Sequence, residues 1–108
     1  MRIGVVGGVE RNEVDLTRLA SAAGHEVEMH SGHIGGRGTG AIERLVARCD
    51  LVMILVEVNS HGAVLIAKRT ANRLGRPVVV MRNCGPARFE KWLEEIAAHA
   101  TLRSTHAA

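Results

Sequence analysis

The run Leu51-Val52-Met53-Ile54-Leu55-Val56 is wholly apolar, and Glu57, Asn59, Ser60 and His61 follow it within five positions. An unbroken apolar run of strand length suits a strand covered on both faces, because a strand with one solvated face alternates. Asn59 or Ser60 can accept the first unpaired N–H groups of a helix that starts there. A covered strand that ends in polar groups at a helix N-terminus is the place where parallel α/β folds hold ligands.

The rest of the chain supplies what such a strand needs around it. Ile3-Gly4-Val5-Val6 reads as a short buried strand ended by Gly7-Gly8. A helix follows from about Asn12, with Glu13 and Asp15 in its first turn and Leu16, Leu19, Ala20 and Ala23 as its apolar stripe, and Gly24 stops it. Residues 25–30 alternate, Val27 and Met29 against Glu26 and Glu28, which places a half-exposed strand at the sheet edge. Residues 31–40 hold five glycines and are predicted to be a loop.

Helical spacing returns over 41–49 through Ile42, Leu45, Val46 and Cys49, and again over 62–74, with Val64, Ala67, Ala71 and Leu74 inward. Gly75 and Pro77 close that helix, Val78-Val79-Val80-Met81 forms a fourth strand, and a last helix from Ala87 to about His99 carries Phe89, Trp92, Leu93 and Ile96 on one side. Residues 100–108 lack periodicity and read as a flexible tail. The sum is βαβαβαβα. Right-handed crossovers make it a single α/β domain over 1–99, a four-stranded parallel sheet with helices on both faces, Rossmann-like or half of a flavodoxin-like fold, and the preferred strand order is 2-1-3-4. The chain then reverses direction between the first and third strands, where residues 7–12 and 59–61 line a crevice, with His30 and Cys84 at the same edge.

Composition narrows the partners. The net charge is +3 and twelve of the fourteen basic residues are arginine, but no concentrated basic run exists, so nucleic acid is not an expected partner. Phe89 and Trp92 are the only aromatic residues, so Val, Leu, Ile, Ala and Met must build the core. Two cysteines, no charged-then-apolar leader and no bilayer-length apolar segment lead to the expectation of a cytoplasmic protein without a membrane partner.

Gly4-x-x-Gly7-Gly8 lacks the spacing of a dinucleotide fingerprint, no acidic residue ends the second strand to hold a ribose, and no Gly-Lys-Ser/Thr is present. A tight turn explains the two glycines. That fold would bring His30, His33, His61 and Cys84 to one edge; imidazole nitrogen and thiolate sulfur bind zinc, copper or haem iron, and Arg11 or Arg37 could meet an anionic group. Each has a plainer alternative: His61 bonded to a neighbouring loop, His30 and His33 solvated, Cys84 packed at a strand end, Cys49 in the core. A thiol-dependent enzyme would use Cys84 as thiolate and His61 as base, with Glu10 or Glu57 orienting it. Ser60 and His61 make no dyad, because adjacent helical residues point about 100° apart.

Several of these residues carry a resemblance. Val6-Gly7-Gly8, then His30-Ser31-Gly32, an apolar strand leading to Ser60-His61, Lys68-Arg69, and a strand followed by a small polar turn and Phe89 resemble the bacterial domain-of-unknown-function family numbered 2325 over residues 2–96. That resemblance implies haem binding, as associated with some members, with His61 at the Ser-His motif and His30 at the H-x-G histidine. The chain departs from the family pattern at Asn59, where a cysteine often stands, and at Cys84, where a serine is usual.

The leading expectation is therefore a cofactor-binding homodimer. Haem, or a metal held by His61 and Cys84, would sit at the strand C-termini with His61 as axial ligand and His30, His33, Cys84, Arg11, Asn59 and Ser60 around it, in an apolar slot of Val9, Ile34, Val58 and Val64. Zinc, or no cofactor, is the alternative. A second reading is a regulatory interaction module that pairs through the edge strand at 25–30, and a thiol-dependent enzyme is the third.

Overall fold

The computed structural model describes the backbone of residues 1–33 and 38–107, and the side chains of those residues apart from 10, 38–39 and 99–107. The elements are β1 (Arg2–Val6), a 3-10 turn (Glu10–Asn12), α1 (Glu13–Ala22), β2 (Glu26–His30), α2 (Gly38–Arg48), β3 (Leu51–Leu55), α3 (His61–Leu74), β4 (Val78–Met81) and α4 (Pro86–Ala107). The strands are all parallel, as the alternation of short apolar runs and helical stripes predicts, and lie in the preferred order β2-β1-β3-β4.

The two central strands are covered on both faces, which is why they do not alternate. On one face Ile3, Val5, Met53 and Leu55 pack with Leu16 and Ala20 of α1 and Phe89, Trp92 and Leu93 of α4. On the other, Val6, Val52 and Ile54 meet Ile42, Leu45 and Val46 of α2 and Ala63, Ala67 and Ala71 of α3. Each large aliphatic side chain so buried contributes about 1.5–3 kcal/mol. Gly4 sets how close α2 can come: a Cβ there would lie 2.5 Å from Leu45 Cδ2 and 3.0 Å from the Cys49 sulfur.

Four details differ from the sequence reading. α3 turns Ala63 and Thr70 inward and leaves Leu74 37% exposed, because small side chains let the helix sit low on the sheet while its last turn overhangs it. Ala23 is exposed, since α1 has ended one residue before it. α2 begins at Gly38, inside the glycine-rich stretch expected to be loop. The backbone of α4 stays helical to Ala107, beyond the last apolar position of its stripe, Ile96. Pro86 is tolerated at its first position because that N–H would have no helical partner in any case.

Candidate functional site

Parallel pairing puts the strand ends on one line. Val6 is in register with His30 on one side and Ile54 on the other, and Leu55 with Met81, so Gly7, Ser31 and Val56 all leave the sheet along the same edge. The Gly7 N–H donates to the His30 carbonyl and the Gly8 N–H to the Val58 carbonyl, each at 2.7 Å. Both amides are thereby committed, so this turn offers no N–H groups to a phosphate. Gly7 has φ of +99°, and a Cβ there would come within 2.5 Å of both the Leu55 carbonyl oxygen and Asn59 Nδ2.

Asn59 fastens the point at which the chain reverses direction. Its Nδ2 donates to the carbonyls of Val6 (3.1 Å) and Leu55 (2.9 Å), tying the ends of β1 and β3, while Oδ1 accepts the Ser60 N–H at 2.8 Å. Two carbonyls on one side and an N–H on the other fix which end of the amide is which. Ser60 continues the link: its Oγ donates to the Gly32 carbonyl (2.6 Å) and accepts the Ala63 N–H (3.1 Å) as the N-cap of α3. The segment after β2 is thus drawn over the β1–β3 junction, and Gly32 lies against Asn59 so closely that a Cβ would overlap Oδ1.

Between the ends of β1 and β2 this arrangement leaves a cleft of about 310 Å³ lined by Gly7, Gly8, Glu13, Met29, His30, Ser31 and His33. A second, of about 240 Å³, lies across Ser31–His33 against Asn59 and Ser60. His30 is held in a defined state. Its Nδ1 accepts the Gly32 N–H at 3.0 Å, so the neutral ring carries its proton on Nε2. Burial, with His33 second, holds this imidazole below the ordinary histidine value, which favours the neutral form that the bond requires. The His33 N–H donates to Ser31 Oγ at 3.3 Å, leaving the Ser31 hydroxyl proton available.

The predicted site residues separate into three groups. His30 and His33 line the cleft, and Ser60 and Asn59 border its neighbour as positioning groups whose hydrogen bonds face inward. His61 and Arg11 are exposed, at the first turn of α3 and in the 3-10 turn, and neither lines either of these two clefts. Cys84 is 4% exposed in the α1/α4 core, where burial raises its thiol pKa despite Arg88 nearby, so the structure does not bring it to the histidines. Arg37 and Ile34 lie outside the described residues. Glu13 and Met29 of the cleft were legible only as a helix first-turn acid and a strand residue; their joint position depends on how α1 leaves the Gly7-Gly8 turn.

A metal or haem fits this arrangement poorly. Among the described residues no group of three or more His, Cys, Asp or Glu side chains is placed to hold a metal ion. For His30 to ligate through Nε2, the proton would have to move to Nδ1, against the Gly32 N–H. The expected apolar slot is dispersed as well: Val9 and Val58 are 37% and 46% exposed, and Val64 packs on the α2/α3 core.

Residues 2–96 match the model of the family "Uncharacterized protein conserved in bacteria (DUF2325)". The chain belongs to this family. No curated protein matches it. Among solved structures, a de novo designed Rossmann fold protein is similar at 14% identity, with a TM-score of 0.53 over 86% of this chain and 93% of that one. That likeness concerns the fold alone. Among the described residues of this DUF2325 member no helix is long and apolar enough to cross a membrane.

Proposed function

We propose that this DUF2325 domain is a small-ligand binding module, non-catalytic in itself, whose site is the cleft between the ends of β1 and β2. The observation that carries the reading is the Gly32 N–H bond to His30 Nδ1, which leaves Nε2–H as a hydrogen-bond donor of fixed tautomer in a cleft that also contains the Glu13 carboxylate. Its volume lies at the small end of ligand pockets. A donor and an anionic acceptor in so small a space suit a compact polar molecule with an acceptor for the imidazole and an ammonium for the carboxylate, as in a free α-amino acid. The thiol-dependent enzyme reading needs Cys84 as its nucleophile, and that thiol lies in the core.

The test is a titration of ¹⁵N-labelled protein with a panel of free amino acids and, for comparison, dicarboxylates. The expected result is a saturable shift of the Gly7, Gly8 and Gly32 amides by a panel member bearing an ammonium group, lost in His30→Ala and weakened in Glu13→Gln. Shifts that map elsewhere, or none across the panel, would overturn it. Haem is a second reading, favoured by the exposed His61 imidazole, which has no hydrogen bond among the described residues. A saturable Soret band lost in His61→Ala would establish it in place of the first.

A further inference from the structure

The two outer strands end the sheet in different ways. On β2, Glu26 pairs with Arg2 at 2.9 Å and Glu28 pairs with Arg48 of α2, and α2 packs over both β1 and β2. Charged side chains and a covering helix are how proteins keep an edge strand from pairing with another chain. β4 is less protected, because helices cover only one of its faces. Its residues Val78, Val79, Val80 and Met81 carry no charge, and its one neighbour in the sheet is β3, so its outer N–H and C=O groups face away from the ladder.

One face of β4 is also left open. Val79 and Met81 pack against the α1/α4 core, but on the opposite face α3 packs over β3 and β1, and Val78 and Val80 stay 37% and 49% exposed. Leu74, at the overhanging end of α3 and four residues before Val78, is exposed as well. The apolar surface and the unpaired backbone therefore coincide at one edge.

We propose that two copies of this chain pair through β4, edge to edge, into one continuous eight-stranded sheet. The occupant is a second copy because the strand is complementary to itself. A two-fold axis perpendicular to the sheet at Val79 makes the two β4 strands antiparallel and keeps each side chain on its own face. Val78 and Val80 of one copy then lie opposite Val80 and Val78 of the other, which covers the exposed valines, and such cross-strand pairs of β-branched residues stabilise a sheet. No charge is opposed to a like charge within the strand. The cations that this register brings toward each other are Arg76 and Arg82, beyond its two ends, and the Arg76 guanidinium is tied to the Ala47 carbonyl at 3.2 Å. The edge is short, so the dimer forms reversibly, with a dissociation constant on the order of micromolar.

Sedimentation equilibrium from about 5 to about 500 μM brackets that range. The wild type is expected to rise from the 11.6 kDa of one chain toward twice that mass. Val80→Lys places a charge on the exposed face and raises the dissociation constant at least tenfold, with Val78→Lys as the second variant. Both positions are solvent-accessible, and an unchanged far-ultraviolet spectrum shows that the fold is kept. Glu26→Ala on β2 is expected to leave the dimer intact. A wild type that stays monomeric throughout, a dimer indifferent to both lysine variants, or one lost in Glu26→Ala alone would overturn the proposal.

Discussion

Asn59→Asp changes one heavy atom and is expected to be among the most damaging substitutions in the domain. The Nδ2 group donates at 3.1 Å and 2.9 Å to the carbonyls that end β1 and β3, and Oδ1 accepts from Ser60 N–H at 2.8 Å. With a net value of about 0.5–1.5 kcal/mol for each bond, loss of all three in Asn59→Ala sums to about 1.5–4.5 kcal/mol, reduced where water reaches the half-buried site. Aspartate keeps the acceptor for Ser60 but turns an oxygen onto two carbonyl oxygens. An ionised carboxylate is then held against two negative dipole ends, at a further cost of about 1 kcal/mol or more over alanine. Urea denaturation followed by circular dichroism measures the difference, since a loss of about 3 kcal/mol lowers the midpoint by roughly 2 M for a small domain. An Asn59→Asp protein as stable as Asn59→Ala, or more so, would show that the amide does not join the two strands in this way.

Three further outcomes follow from the same geometry. Gly24 and Gly32 both have positive φ, +82° and +89°, but a Cβ at Gly24 meets open space and one at Gly32 meets Asn59; Gly24→Ala should cost about 1 kcal/mol and Gly32→Ala clearly more in the same denaturation assay, with equal losses showing that the segment yields. Burial lowers the folded-state pKa of His30, with His33 second, and of His25, with the N-terminal ammonium second, so the stability linked to them is present above the unfolded value near 6.5 and is lost as pH falls from there through the lower folded values. A urea midpoint that declines between pH 7.5 and 5, less steeply in His30→Gln, checks that sign. Burial pushes the Cys49 thiol up to about 11 and raises that of Cys84, so both should react with a thiol reagent at pH 8 far more slowly in the native protein than in urea; rapid native labelling of Cys84 would contradict its place in the core.

The functional edge was less legible than the fold that makes it. Four donor residues were expected to gather there, yet only His30 and His33 line the cleft. Each strand end fixes where the backbone leaves the sheet, whereas the side chain's direction depends on the turn that follows. Cys84 shows the difference: it follows β4 as expected, but the chain turns into α4 beside it and the thiol joins the buried cluster that also holds Phe89 and Trp92. Asn59 was a candidate ligand and became a clasp, because the carbonyls of Val6 and Leu55 come within its reach only after β1 and β3 pair.

The sequence by itself determined the parallel sheet and the membership of Leu16, Ile42, Val46, Phe89 and Trp92 in the core. Those follow from hydrophobic period, from element length and from the handedness of crossovers, all of which act locally along the chain. Only the tertiary structure decided that Gly32 lies on Asn59, that His30 is held as one tautomer and that β4 is the unguarded edge. These depend on contacts between residues far apart in sequence, within hydrogen-bond and van der Waals distances that no spacing rule specifies.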